Sequence, residues 1–170
     1  MQGLHLEHSV RLIRKATAKG VINLNSNASK PDVVAKMMDA GLDSLRISTN
    51  SARANVYTAY YRPTGYGFED VRKSASVVRE RGGYVMLNYF VFPGVTDTQP
   101  ELDALCEWIE EARIDMVQLR NLNIDPEIYL AAVTEAGHVV EPMGLMPWLR
   151  ALRARFPALR FGYFNPPRQT

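Results

Sequence analysis

The chain has 170 residues, 46% of them hydrophobic and 22% charged, and a formal net charge of +2 from 20 basic and 18 acidic side chains. That is ordinary globular usage for one domain, and the near-neutral balance gives no bulk attraction to nucleic acid or an anionic membrane. No apolar run reaches the roughly 20 residues of a membrane helix and no signal peptide opens the chain, so a cytoplasmic protein with no membrane or nucleic-acid partner is expected.

The first helical stretch, "HLEHSVRLIRKATAKG", repeats apolar residues at Leu6, Val10 and Ile13 and stops at Gly20. Strand-like "VINLNSN" follows. Lys30-Pro31-Asp32 then opens a helix that buries Val33, Val34, Met37 and Met38 and ends at Gly41. "LDSLRISTN" reads as the second strand and "SARANVYTAYYRPTGYG" as a loop. The helix "FEDVRKSASVVRERGG" leads to the third strand, "YVMLNYFVF". In the turn "PGVTDT", Thr96 and Asp97 read as caps of the next helix, "QPELDALCEWIEEAR". Strand four is "IDMVQLR". An irregular stretch separates it from the helix "LMPWLRALRARFP" and a fifth strand, "LRFGYF", after which Asn165 reads as a weak further pocket residue. This alternation means βαβ units and a parallel sheet, in an α/β barrel or a doubly wound arrangement.

Side chains alternate across a strand, so each run splits into two faces. Ile22 and Leu24 oppose Asn23, Asn25 and Asn27; Leu45 and Ile47 oppose Arg46, Ser48 and Asn50. Val85, Leu87 and Tyr89 oppose Tyr84, Met86 and Asn88; Val117 and Leu119 oppose Met116, Gln118 and Arg120. One face is apolar and suits helix packing. The other turns polar toward the carboxyl end of each strand, where parallel sheets place ligands. An unpaired buried polar group costs about 1–3 kcal/mol, so the convergence implies a ligand or a dense internal hydrogen-bond network. Amides, a hydroxyl and the guanidiniums of Arg46 and Arg120 grip carboxylates and ribose hydroxyls, but supply no general base, nucleophile or metal ligand. Such a site holds something whose chemistry comes from elsewhere, as with a cofactor.

Other features read as structure. His5 and His8 fit a solvated helix face, His138 a loop, and Arg150, Arg153 and Arg155 a solvated helix face. Tyr57, Tyr60, Tyr61 and Tyr66 fit packing of a long loop.

The run from "GLDSLRISTN" to "VQLRNL" resembles the later part of a radical S-adenosylmethionine (radical SAM) enzyme barrel, and the resemblance extends over roughly residues 20–125. "STN" stands where that family commonly has "SLD", Asn88 and "PGVTD" fit the next element, and "NSNAS" sits where many members have a Thr-Asn-Gly turn. The resemblance implies an α/β, partial (βα) barrel of TIM-like, parallel design, with N-terminal units missing and residues 1–170 as a single domain. It implies S-adenosyl-L-methionine as cofactor, cleaved to a 5′-deoxyadenosyl radical by a 4Fe–4S cluster in the parent protein. Asn25, Ser26 and Asn27 would lie near its methionyl end, and Ser48 and Asn50 near its ribose or carboxylate, with Arg46 and Asn88 completing the cofactor site. Gln118, Arg120, Asn121 and Asn123 would face a small-molecule or peptide substrate.

The family's Cys-x-x-x-Cys-x-x-Cys is absent. The only cysteine is Cys106, in an apolar helix setting that suits a small buried thiol. This chain therefore ligates no cluster, and a missing N-terminal half or a partner chain is expected to do so; alone, the chain is expected to be catalytically inert. The alternatives are a non-catalytic α/β binding or assembly module, and a fragment of an ordinary barrel enzyme that binds an anionic metabolite.

Overall fold

The computed structural model describes residues 2–121, 125–137 and 141–162. The elements run α1 (Gln2–Ala16), β1 (Asn23–Ser26), α2 (Pro31–Asp39), β2 (Ser44–Thr49), α3 (Ala54–Tyr61), α4 (Phe68–Glu80), β3 (Tyr84–Phe90), α5 (Gln99–Ala112), β4 (Met116–Arg120), α6 (Pro126–Glu135), α7 (Leu145–Arg155) and β5 (Arg160–Phe161). The five strands form one sheet in the order β1-β2-β3-β4-β5, every neighbouring pair parallel. A doubly wound sheet reverses its order at a switch point, whereas each strand here lies beside the next in sequence, as in a barrel wall.

Local chemistry sets these boundaries. Pro31 opens α2, where its missing N–H costs nothing. Gly41 ends it at φ +108°, and a Cβ there would meet the Arg14 side chain at 2.5 Å. Arg14 locks α1 to that turn: its Nε donates to the Gly41 carbonyl at 2.8 Å, and its guanidinium pairs with Asp43. Asp43 also accepts from the Ile22 N–H at 2.6 Å, which ties the entry of β1 to that of β2.

The apolar strand face expected from the sequence is the main core. Leu45, Ile47, Val85, Leu87 and Val117 are fully buried and pack under Val71, Ala75 and Val78 of α4 and Leu105 and Trp108 of α5. Phe68 meets Trp108 edge-on at 5.2 Å between ring centroids. Cys106 belongs to this core, as its sequence setting suggested.

Two helices differ from the sequence reading. The segment read as a loop holds α3, and the stretch read as irregular holds α6. Together they build a second core, with Val56, Val95, Tyr129 and Val133 buried and Tyr60, Phe90 and Phe92 packed against them. Phe90 lies on the polar side of β3, in line with Asn88, so this second core sits over the carboxyl ends of the strands, on the face away from the outer helices. Among the described residues no helix is long and apolar enough to cross a membrane.

Candidate functional site

Strand register stacks the polar face in layers. Asn25, Arg46, Met86 and Met116 share one level; Ser48, Asn88 and Gln118 the next; Phe90 and Arg120 the one above. A hydrogen-bonded chain crosses these levels from strand to strand. Arg120 Nε donates to Asn88 Oδ1 at 3.0 Å, Asn88 Nδ2 to Ser48 Oγ at 3.5 Å, and Ser48 Oγ to Asn25 Oδ1 at 3.2 Å. Four strands thus contribute one side chain each to a continuous polar track across the carboxyl half of the sheet.

Arg46 lies on the same face and reaches Met86 Sδ at 3.8 Å. Burial lowers its pKa, and the positive charge of Arg120 lowers it further. An anion held between the two guanidiniums would relieve that mutual repulsion. No Asp or Glu occupies this face on the described strands.

The structure divides the residues named from the sequence. Asn25, Arg46, Ser48, Asn88 and Arg120 come together on the track or beside it. Gln118 is 1% exposed and level with Asn88, and Asn121 is exposed just beyond the end of β4. Asn27 is exposed at the rim, where its Nδ2 donates to the Tyr66 hydroxyl at 3.5 Å. Ser26 is level with Ile47 and so takes the helix-facing side; its Oγ accepts from the Ala28 N–H at 3.1 Å and braces the turn. Asn50 is 2% exposed, beneath α3 and α6, and its Nδ2 donates to the Val56 carbonyl at 3.2 Å and the Tyr129 hydroxyl at 3.4 Å. Asn123, Asn165 and His138 lie outside the described residues. His5 and His8 are exposed on α1.

Thr96 and Asp97 brace their own turn instead of capping α5. Thr96 Oγ1 accepts from the Phe92 N–H at 2.9 Å and Asp97 Oδ1 from the Gly94 N–H at 2.5 Å, while the N-cap position itself is Thr98.

Sequence reading missed one polar centre, Glu101. It lies in the first turn of α5, where an acid usually faces solvent, yet it is 0% exposed. Its carboxylate accepts from Ser51 Oγ at 2.6 Å, the Ala52 N–H at 2.7 Å and Arg53 Nε at 2.9 Å, and from the Tyr89 hydroxyl. This network fixes the turn that leaves β2 directly after Ser48 and Asn50. Burial, with the carboxylate beside it, raises the pKa of Tyr89 well above the ordinary phenol value. The signal for it was the excess of donors in "STNSAR".

A cleft of about 690 Å³ lies between α1, the end of β1 and α2, lined by Leu6, Leu24, Asn25, Asn27, Lys30 and Met37 among others. It shares Asn25 with the polar track.

Solved structures that superpose on this chain include radical SAM enzymes. Methylornithine synthase (PylB) superposes with a TM-score of 0.55 at 10% identity, over 96% of this chain and 55% of that protein. HydG, a maturase of the [FeFe]-hydrogenase, gives 0.53 at 12% identity, over 94% of this chain and 42% of that one. The fold is that of a partial radical SAM barrel. The radical SAM methyltransferase TsrM from Kitasatospora setae, with cobalamin and a [4Fe-4S] cluster bound, matches over 69% of this chain and 24% of its own, at 15% identity and a TM-score of 0.48. The chain thus spans less than two thirds of each of these proteins. No family model and no curated protein matches the sequence.

The donor set suits S-adenosylmethionine: guanidiniums for a carboxylate, amides and a hydroxyl for ribose oxygens. It does not suit the iron–sulfur cluster. The single cysteine is 2% exposed in the helix-side core, and no group of three His, Cys, Asp or Glu that could hold a metal occurs among the described residues.

Proposed function

We propose that residues 1–170 act as one unit, the S-adenosylmethionine- and substrate-holding part of a radical SAM enzyme. The polar track Arg120–Asn88–Ser48–Asn25 carries this reading, on a fold shared with such enzymes. Asn25, Ser48 and Asn88 hold the ribose and methionyl ends of the cofactor, and Arg46 neutralises its carboxylate. Asn27 lies at the rim of the same site. Ser26 and Asn50 act indirectly, by fixing the backbone at the ends of β1 and β2. Gln118, Arg120 and Asn121 face the substrate side. With a reduced 4Fe–4S cluster, S-adenosylmethionine supplies one-electron cleavage of a sulfonium carbon–sulfur bond. The cluster's cysteines come from polypeptide other than these residues.

Calorimetric titration with S-adenosylhomocysteine tests this reading without the cluster. Binding at one site per chain is expected. Asn88→Leu keeps the branched shape of the side chain but removes two links of the track. At about 0.5–1.5 kcal/mol per hydrogen bond, it should weaken binding roughly 5- to 150-fold. No binding heat, or an unchanged affinity in Asn88→Leu, would overturn the proposal.

A further inference from the structure

The level of the barrel face above Asn88 pairs two residues of different chemistry. Phe90 of β3 and Arg120 of β4 are direct register partners, so they lie side by side on the same face. Adjacent strands are about 4.8 Å apart, a separation that one small molecule can bridge. The bond from Arg120 Nε to Asn88 fixes the plane of the guanidinium.

Phe90 belongs to the second core, whose aromatic members share one corner of the structure. Its ring meets that of Tyr129 edge-on at 5.1 Å, and Phe92 lies 5.0 Å from the same tyrosine. Tyr129 is fully buried and forms the floor, while Phe90, Phe92 and Tyr60 pack against it and are only half-buried. An aromatic shelf therefore adjoins a fixed guanidinium at the mouth of the site. Aromatic faces prefer other rings at offset or edge-on geometry, and guanidinium prefers a carboxylate.

We propose that the substrate of this site is a small carboxylate that carries an aromatic ring, with its anionic end on Arg120 and its ring on Phe90 and Phe92. This rests on the radical SAM reading and specifies the substrate class within it. Arg46, one level below Ser48, remains for the cofactor, so the two ligands occupy different levels of the same face.

The test uses 3-phenylpropanoate as probe, with hexanoate (carboxylate, no ring) and 2-phenylethanol (ring, no carboxylate) as controls. Binding is followed by the backbone amide shifts of residues 86–92 and 116–121, with and without saturating S-adenosylhomocysteine. The expected result is that 3-phenylpropanoate binds at least about tenfold more tightly than either control, and still binds when S-adenosylhomocysteine is present. Arg120→Gln should bring it down to the level of 2-phenylethanol, and Phe90→Leu, which keeps apolar volume under the shelf, to that of hexanoate. Circular dichroism confirms that both variants remain folded.

Equal binding of hexanoate, or displacement of the probe by S-adenosylhomocysteine, would overturn the substrate class, the second by giving the shelf to the cofactor. Binding of S-adenosylhomocysteine without binding of the probe would overturn this inference alone. Binding of neither would overturn the underlying reading as well.

Discussion

Replacing Glu101 should destabilise the chain more than its place in the first turn of a helix suggests. Its carboxylate is 0% exposed and accepts four hydrogen bonds, one from the Arg53 guanidinium, whose side chain is 14% exposed. In Glu101→Gln the amide oxygen can still serve the Ala52 N–H and the Tyr89 hydroxyl. The amide nitrogen then faces Ser51 Oγ, which can rotate to accept, and Arg53 Nε–H, which cannot. Loss of a charge-assisted bond worth about 1.5–3 kcal/mol, plus a donor left facing a donor, puts the total near 3 kcal/mol. That is a large part of the roughly 5–15 kcal/mol that stabilises a domain. For a chain of this size it lowers the thermal midpoint by about 6–12 °C. Glu101→Leu should cost about 3–5 kcal/mol, because Arg53 is left without its carboxylate. Urea unfolding of wild type, Glu101→Gln, Arg53→Met and the double variant gives the coupling directly. A loss below about 1 kcal/mol in Glu101→Gln, or no coupling to Arg53, would show that the buried carboxylate does not hold this turn.

The tyrosines set a limit at alkaline pH. Burial, with Tyr60 and Tyr66 nearby, pushes Tyr61 up to about 12, and burial raises Tyr57, Tyr89 and Tyr129 as well. A phenol whose folded pKa is raised releases its proton first in the unfolded chain, so its contribution is intact below about pH 10 and is lost as pH rises toward 12. Absorbance at 295 nm should show these phenols ionising only together with unfolding; complete ionisation of a folded chain near pH 10 would contradict this. Arg46→Met removes a charge that burial and Arg120 already disfavour, so affinity for S-adenosylhomocysteine should fall about tenfold while the thermal midpoint holds or rises. A fall in both would show that Arg46 serves the fold instead. Asp125 caps α6 by accepting from the Glu127 and Ile128 N–H groups at 2.9 and 3.3 Å, so Asp125→Ala should cost about 1 kcal/mol. It should also speed hydrogen exchange at the Asn50 side-chain amide, which α6 covers; unchanged exchange would separate the helix from that role.

The sheet was legible because strand alternation in "SLRIST" and "YVMLNYF" is strict, with one face wholly apolar. The same alternation picked out Asn25, Arg46, Ser48, Asn88 and Arg120, since a polar residue facing the sheet's other side has few structural uses. Tertiary contacts hid the rest. In α3, "ANVYTAYY" carries several tyrosines and a valine and lacks a side-chain cap, so its helicity comes from packing on Tyr129 and Phe68. The start of α6 was readable in Asp125-Pro126-Glu127, an N-cap followed by proline at the first turn, but its apolar pattern is weak because Ile128 and Leu130 face solvent. Once α6 is in place, Asn50 passes from a ligand-facing residue to one that holds Tyr129. Glu101 was illegible because the partners Ser51, Ala52 and Arg53 lie about 50 positions earlier, in the loop after β2 that only the folded chain brings to the start of α5.

Whether the polar track holds the cofactor is read most directly from a chemical-shift map of the 170-residue chain titrated with S-adenosylhomocysteine. Shifts on Asn25, Arg46, Ser48, Asn88 and Arg120 are expected, with the titration of the other four moved to at least about fivefold higher ligand concentration in Asn88→Leu. Shifts confined to the outer cleft at Lys30 and Met37, or no shifts at all, would contradict that role of the track.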